Sequence, residues 1–309
     1  MRPVVFIHTN DKQLLGARVG AYLLKARSKA PDAFDVHILR LEDTPHLHRR
    51  EGHRYLRKGK VAVWKNADLQ SFSPLRMMVP QLMGFSGRAL LIDPDVFAVG
   101  DVYELLTRDM RGKAILAKKV GGGYKGNGNP FYASSVMLLE CSRLRHWDWK
   151  DQIDAIFEQS LDYGPWIALA LEDPTTIGPL EEEWNHFDTL TPRTRLLHNT
   201  ERSTQPWKTG LPVDYDTTSP RPSGWPRLAT RLRRLIGASR PDAIATARYL
   251  PHPDPAQERF FFAAVEECLQ AGAFDERFVE EEIRKMHVRQ DLLERIVELK
   301  GHKADAHGR

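Results

Sequence analysis

Two cysteines in 309 residues, Cys141 and Cys268, are too few for a disulfide framework or a cysteine-built zinc site. That scarcity fits a reducing compartment, so the expected location is cytoplasmic. Apolar runs are short. No stretch approaches the roughly 18 residues of a membrane-spanning helix, and the apolar segment 4–7 near the amino terminus is shorter than the hydrophobic part of a signal peptide. Internal repeats and low-complexity tracts are missing as well. Neither sign of charge dominates, since 45 Lys and Arg face 41 Asp and Glu for a net charge of +4. With 41% hydrophobic and 28% charged residues, the composition is that of a globular chain and excludes a fibrous or disordered one. The length accommodates one large α/β domain carrying an extension.

What is present begins with residues 4–8, an apolar run that ends in the polar turn Thr9, Asn10 and Asp11. Leu14, Leu15, Ala17, Val19, Leu23 and Leu24 then occupy a helix-length segment. Phe34, Val36, Ile38 and Leu41 read as a second strand, and a helix over 73–84 leads into the apolar run 88–92. This β, α, β alternation points to a mostly parallel sheet flanked by helices on both faces. Ligands gather outside the carboxyl ends of strands in such sheets. Two polar clusters fall there: Thr9-Asn10-Asp11, and Asp93-Pro94-Asp95. Further strands are expected at 114–117 and 135–139, and a short apolar piece, 195–197, runs into His198.

Beyond the sheet the composition shifts. Segment 219–250 holds seven arginines and a single aspartate, Asp242, which marks a boundary or an irregular surface stretch. Within it, 225–236 is a basic amphipathic stretch that can pack on the domain or lie on an anionic membrane surface. Segments 255–271 and 275–300 read as two amphipathic helices. The expected division is therefore a catalytic domain over 1–215, a basic Pro/Arg-rich linker over 216–253, and a helical hairpin with a polar tail over 254–309.

Asp93 and Asp95 carry the chemistry. Two carboxylates one residue apart behind a buried strand are costly unless a positive group neutralises them. A divalent cation such as Mn²⁺ or Mg²⁺ does so, with phosphate oxygens of a bound compound completing its shell. Asp-Pro-Asp is also turn chemistry, and the surrounding residues decide between the two. The run Leu90-Leu91-Ile92-Asp93-Pro94-Asp95-Val96-Phe97, followed by Asp101 and Glu104-Leu105, resembles the metal-site segment of glycogenin-like glycosyltransferases, family 8 of the GT-A fold. Other motifs follow in the same order over about residues 3–210. Thr9-Asn10-Asp11 with Gly16-Ala17 is similar to the family's nucleotide-binding turn, and Arg76 takes the place of its donor-binding arginine. Residues Ser134 to Leu138 resemble the strand lining the sugar pocket. His198 with Pro206-Trp207 is similar to the closing motif whose histidine is the third metal ligand.

The resemblance implies a GT-A fold and a nucleotide-diphosphate sugar donor, UDP-linked. It also implies transfer of a hexose to an acceptor hydroxyl with retention of configuration, at a metal held by Asp93, Asp95 and His198. The chain departs from the family in several places. Gln13 replaces the aromatic that stacks on the base, Ala133 replaces an asparagine, and Gln205 replaces the phosphate-binding lysine before Pro206, with Lys208 following Trp207 as a substitute. The carboxylate near the reacting carbon matches Asp162, with Glu172-Asp173 as a rival placement. On this basis the donor meets Thr9, Asn10, Asp11, Arg76, Asp93, Ser134 and Lys208, and the expected catalytic residues are Asp162 and Arg76.

The acceptor, whether saccharide, lipid-linked sugar or protein, is not legible, nor is the oligomeric state. Peripheral contact with the inner face of a membrane is expected, if anywhere, through 225–236. The cationic segment 46–60 reads as a solvated loop or a lid, and the glycine-rich segment 121–128 lacks the ending of a P-loop. A nucleotidyltransferase of similar fold would show a glycine-rich loop after the first strand, where His8-Thr9-Asn10-Asp11 stands instead. An inactive nucleotide-sugar-binding protein would not need all three metal ligands. No nucleic-acid recognition motif occurs.

Overall fold

The computed structural model describes residues 2–121, 130–215 and 247–298. The basic stretch 225–236, most of the glycine-rich segment and the polar tail lie outside the described residues. In chain order the strands are β1 (Val4–Thr9), β2 (Asp35–Arg40), β3 (Arg54–Arg57), β4 (Lys60–Val63), β5 (Arg88–Ile92) and β6 (Val96–Ala98). They are followed by β7 (Ile115–Val120), β8 (Phe131–Glu140), β9 (Ile177–Pro179), β10 (His186–Phe187) and β11 (Leu196–His198).

Six of them form the central sheet in the order β2-β1-β5-β8-β7-β9. β1 lies parallel to both β2 and β5, and β9 parallel to β7, whereas β8 runs antiparallel to β5 and β7. The sheet is mostly parallel, and the α/β architecture expected from the strand and helix alternation is present. β8 can only run back beside β7, because the connection over 121–130 is shorter than the dozen or so residues that a parallel crossover requires.

Alternation along the strands divides the core in two. Val5, Ile7, Leu90 and Ile92 face the helix Leu14–Ala26 and the carboxyl-terminal helix Pro255–Gln270, through Leu15, Val19, Phe261 and Val265. Val4, Phe6, Ala89 and Leu91 face the opposite layer, which includes the helix Trp149–Phe157. Burial of both faces explains why β1 and β5 read as unbroken apolar runs. A small second sheet, ordered β10-β11-β6, stands at the carboxyl end of β5.

Two expectations about local structure change. The cationic segment contains a hairpin, with β3 antiparallel to β4 around Lys58 and Gly59, both at positive φ (53° and 71°). That two-residue turn matches the twist of the paired strands, and Tyr55 packs the hairpin against Trp64, Phe157 and Tyr163. The second carboxyl-terminal helix is shorter than 275–300. It spans Glu276–Arg284, breaks where Met286 takes φ 57°, and resumes at 292–298. The break lets the Arg289 N–H reach the Trp207 carbonyl at 2.7 Å and its guanidinium reach Glu258 at 2.7 Å, which ties the extension to the domain. Among the described residues no helix is long and apolar enough to cross a membrane.

Candidate functional site

The parallel register of β1 and β5 pairs Ile7 with Ile92, so the next residues, His8 and Asp93, emerge side by side at the carboxyl edge. On the other side of β5, Ile92 pairs with Val136, and the Asp93 N–H donates to the Ser135 carbonyl at 2.9 Å. Asp93 is thus held between two strands. The 3-10 helix Ser73–Met78 brings in Arg76 from the flank.

Arg76 is buried and fully engaged. Its Nη2 donates to both carboxylate oxygens of Asp93 at 2.7 Å, its Nη1 to Ser134 Oγ at 2.8 Å, and its Nε to His8 Nε2 at 3.0 Å. His8 Nε2 also lies 2.8 Å from Asp93 Oδ1. Burial alone would push the Asp93 carboxyl up, but the Arg76 charge and His8 outweigh it and hold the group down at about 2. His8 is completely buried, and that burial lowers its pKa despite the opposing pull of Asp93.

The turn after Asp93 carries Asp95 into the second sheet. β6 pairs antiparallel with β11, so His198 sits opposite Val96 and close to Asp95, although the two are remote in sequence. His198 Nε2 lies 3.3 Å from Asp95 Oδ1. Asp95 Oδ2 accepts from Gln205 Nε2 at 3.2 Å, while its Oδ1 is buried and receives no hydrogen bond. One ligand atom each from Asp93, Asp95 and His198 lies within 4.8 Å of the others. Two carboxylates and an imidazole, with an oxygen left unsatisfied among them, fit a hard divalent cation. They open into a cleft of about 260 Å³ that Gln13, Arg76, Ala133, Ser134 and Arg202 also line.

Other residues named from the sequence lie elsewhere. The Thr9 hydroxyl donates to the Asn10 carbonyl at 3.0 Å, and Asn10 Nδ2 donates to the Asp68 carbonyl and Ser71 Oγ at 3.0 and 2.9 Å. These bonds fix the wall that carries Leu69 and Phe72. Asp11 pairs with Arg40. None of the three lines the cleft; from this turn it is Gln13 that does.

Lys208 does not reach the cleft either. It is 1% exposed, with Nζ 3.2 Å from Asp214 Oδ2, and burial pushes its pKa down while Asp214 opposes the change. The cleft cation on that side is Arg202.

Asp162 also stands outside the cleft. Its carboxylate accepts the N–H groups of Lys58 at 2.8 Å, Gly59 at 2.7 Å and Gly164 at 2.8 Å, so it caps the helix Tyr163–Ile167 and clasps the β3–β4 turn. Its rivals are likewise structural, since Glu172 accepts from Trp147 Nε1 at 2.8 Å and Asp173 caps a 3-10 helix through Thr175. The sequence did not single out His8, nor give Gln205 a role beyond a departure from a motif. A histidine closing an otherwise apolar strand was the available signal for the first; nothing local marked the second.

No family model and no curated protein matches the chain. Among solved structures, a bifunctional glycosyltransferase, WbbM, aligns over 67% of this chain and 47% of its own, at 12% identity and a TM-score of 0.48. The galactosyltransferase LgtC, in complex with donor and acceptor sugar analogues, aligns over 66% and 89%, at 14% identity and a TM-score of 0.43. The glycosyltransferase GlyE of Streptococcus pneumoniae TIGR4 aligns over 67% and 56%, at 14% identity and a TM-score of 0.46. The chain thus spans about half the length of the first and third of these proteins.

Proposed function

We propose that this chain is a metal-dependent glycosyltransferase that moves a hexose from a nucleotide-diphosphate sugar, UDP-linked, to an acceptor hydroxyl with retention. The observation that carries this reading is the convergence of Asp93, Asp95 and His198 at the edge of a cleft. These three would hold Mn²⁺ or Mg²⁺. Such a cation, when bound, offsets the negative charge that builds on a departing diphosphate.

The remaining work falls to residues of the chain. Arg76 neutralises Asp93 from within the fold, so the ligand set carries less net negative charge than its two aspartates suggest. Arg202 adds a cation at the cleft wall, suited to a diphosphate. Gln13 replaces an aromatic platform with an amide, so base recognition here rests on hydrogen bonds rather than stacking. Ala133 and Ser134, on β8, form the floor on which a sugar would rest. The acceptor is a saccharide, a lipid-linked sugar or a protein.

A donor screen tests the proposal. Release of nucleoside diphosphate from one nucleotide sugar is expected with Mn²⁺ and not with a chelator. Asp95→Ala should abolish release while the protein stays folded; full activity in that variant would remove the metal assignment.

A further inference from the structure

We propose that Asn185 is a positioning residue whose buried amide selects the tautomer of His198 and so turns the Nε2 lone pair toward Asp93 and Asp95. The proposal rests on the metal assignment above but concerns a residue that touches neither substrate nor cation. Asn185 is 0% exposed. Its Oδ1 lies 2.8 Å from His198 Nδ1, and an amide oxygen can only accept, so the imidazole proton must sit on Nδ1. Nε2 is then a bare lone pair facing Asp95 Oδ1, the buried oxygen that no donor satisfies.

The reverse arrangement is chemically available. With the amide turned over, Nδ2 would donate to Nδ1, the proton would move to Nε2, and Nε2–H would donate into Asp95. That hydrogen bond would occupy the same lone pairs a cation needs. The orientation of one amide therefore decides whether the three side chains form a cation site or a closed ion pair.

Asn185 is anchored accordingly. Its Nδ2 donates to Ser135 Oγ at 3.0 Å, and its main-chain carbonyl accepts from the buried Lys118 Nζ at 3.0 Å. It directly precedes β10, whose Phe187 pairs with His198 in parallel register, so the amide stands at the entry to the strand beside the one that carries the imidazole. Ser135 also supplies the carbonyl that fixes the Asp93 N–H, which couples the placement of two ligands through one residue of β8.

The tautomer can be read directly in metal-free protein labelled with ¹⁵N-histidine, with the His198 signals assigned by His198→Gln. Wild type is expected to show Nδ1–H. Asn185→Leu, similar in volume but without an acceptor, is expected to lose that preference and to bind Mn²⁺ about 10- to 100-fold more weakly, the usual cost of removing such a partner. Asn185→Asp keeps an acceptor and should restore both properties to within a few-fold. An Nε2–H tautomer in wild type, or an Asn185→Leu protein with unaltered tautomer and Mn²⁺ affinity, would overturn the role of Asn185 while leaving the metal site standing. Wild-type protein that shows Nδ1–H but binds no Mn²⁺ would instead overturn the metal assignment, and with it the purpose of the arrangement. If Asn185→Leu fails to fold, the wild-type tautomer decides alone: Nδ1–H supports the proposal and Nε2–H overturns it.

Discussion

The guanidinium of Arg76 spans both carboxylate oxygens of Asp93 at 2.7 Å, so the acid that leads the Asp-Pro-Asp turn is countered from inside the fold. Both partners are buried, touching the cleft only at an edge, so little water is there to replace the lost contact. Breaking a buried pair by removing one partner costs about 3–5 kcal/mol, because the other charge is left uncompensated, whereas removing both is far cheaper. Arg76→Met is accordingly expected to lose stability of that order in urea denaturation, and adding Asp93→Leu should recover most of it. A single variant within about 1 kcal/mol of wild type would show that the pair contributes little.

The same contact sets the response to acid. Asp93 has a folded-state pKa of about 2 against an ordinary value of 3.8, so the stability it confers is complete above 3.8 and is lost as pH falls from there toward 2. His8 acts in the same direction at higher pH. Burial lowers its pKa, so below 6.5 the unfolded chain takes up a proton that the folded one refuses, and stability falls with pH. Urea midpoints followed downward from pH 7 should decline in two stages. His8→Gln should flatten the first and Asp93→Asn the second; a profile unchanged by Asp93→Asn would contradict the depressed carboxyl.

A glycine supports the Asp-Pro-Asp turn from behind. A Cβ on Gly16 would lie 2.5 Å from the Pro94 carbonyl oxygen, a backbone atom between the two aspartates that cannot rotate away. Gly20, one turn further along the helix, has more room, with the Val96 carbonyl at 3.2 Å. Gly16→Ala is expected to cost about 1–3 kcal/mol, as overpacking does, and to weaken Mn²⁺ binding by shifting Pro94. Gly20→Ala should do less of both, as read by melting temperature and Mn²⁺ titration.

How far the site could be read beforehand follows from the range of the contacts involved. β1 and β5 were visible because burial on both faces leaves unbroken apolar runs, and Asp93 and Asp95 stood out as the polar residues ending one of them. His198 was reachable only through a family resemblance, since it meets Asp95 by a pairing between β6 and β11, each three residues long and too short for periodicity. His8 owes its position to strand register, and Lys208 its burial to Asp214; neither relationship leaves a local trace. The β3–β4 hairpin was hidden because Lys58-Gly59 is not the usual Asn-Gly turn, and the flanking cations Arg54, Arg57 and Lys60 obscure the alternation.

That hairpin also decides the role of Asp162. With its carboxylate taking up three backbone N–H groups, Asp162 has a structural task, and although burial works to raise its pKa, the bonds from Gly59, Gly164 and Lys58 together outweigh it and hold the group down. Asp162→Ala removes a helix cap worth about 1 kcal/mol and releases the Lys58-Gly59 turn. The expected outcome is a lower melting temperature and faster tryptic cleavage after Arg57 and Lys58, while nucleoside diphosphate release from the donor stays within a few-fold of wild type. Asp162→Asn, which keeps one acceptor oxygen, should fall between the two in proteolysis. Should turnover collapse while the cleavage rate at Lys58 stays at the wild-type value, the carboxylate must reach the reacting sugar in a closed form of the enzyme, and its assignment as a clasp would have to be abandoned.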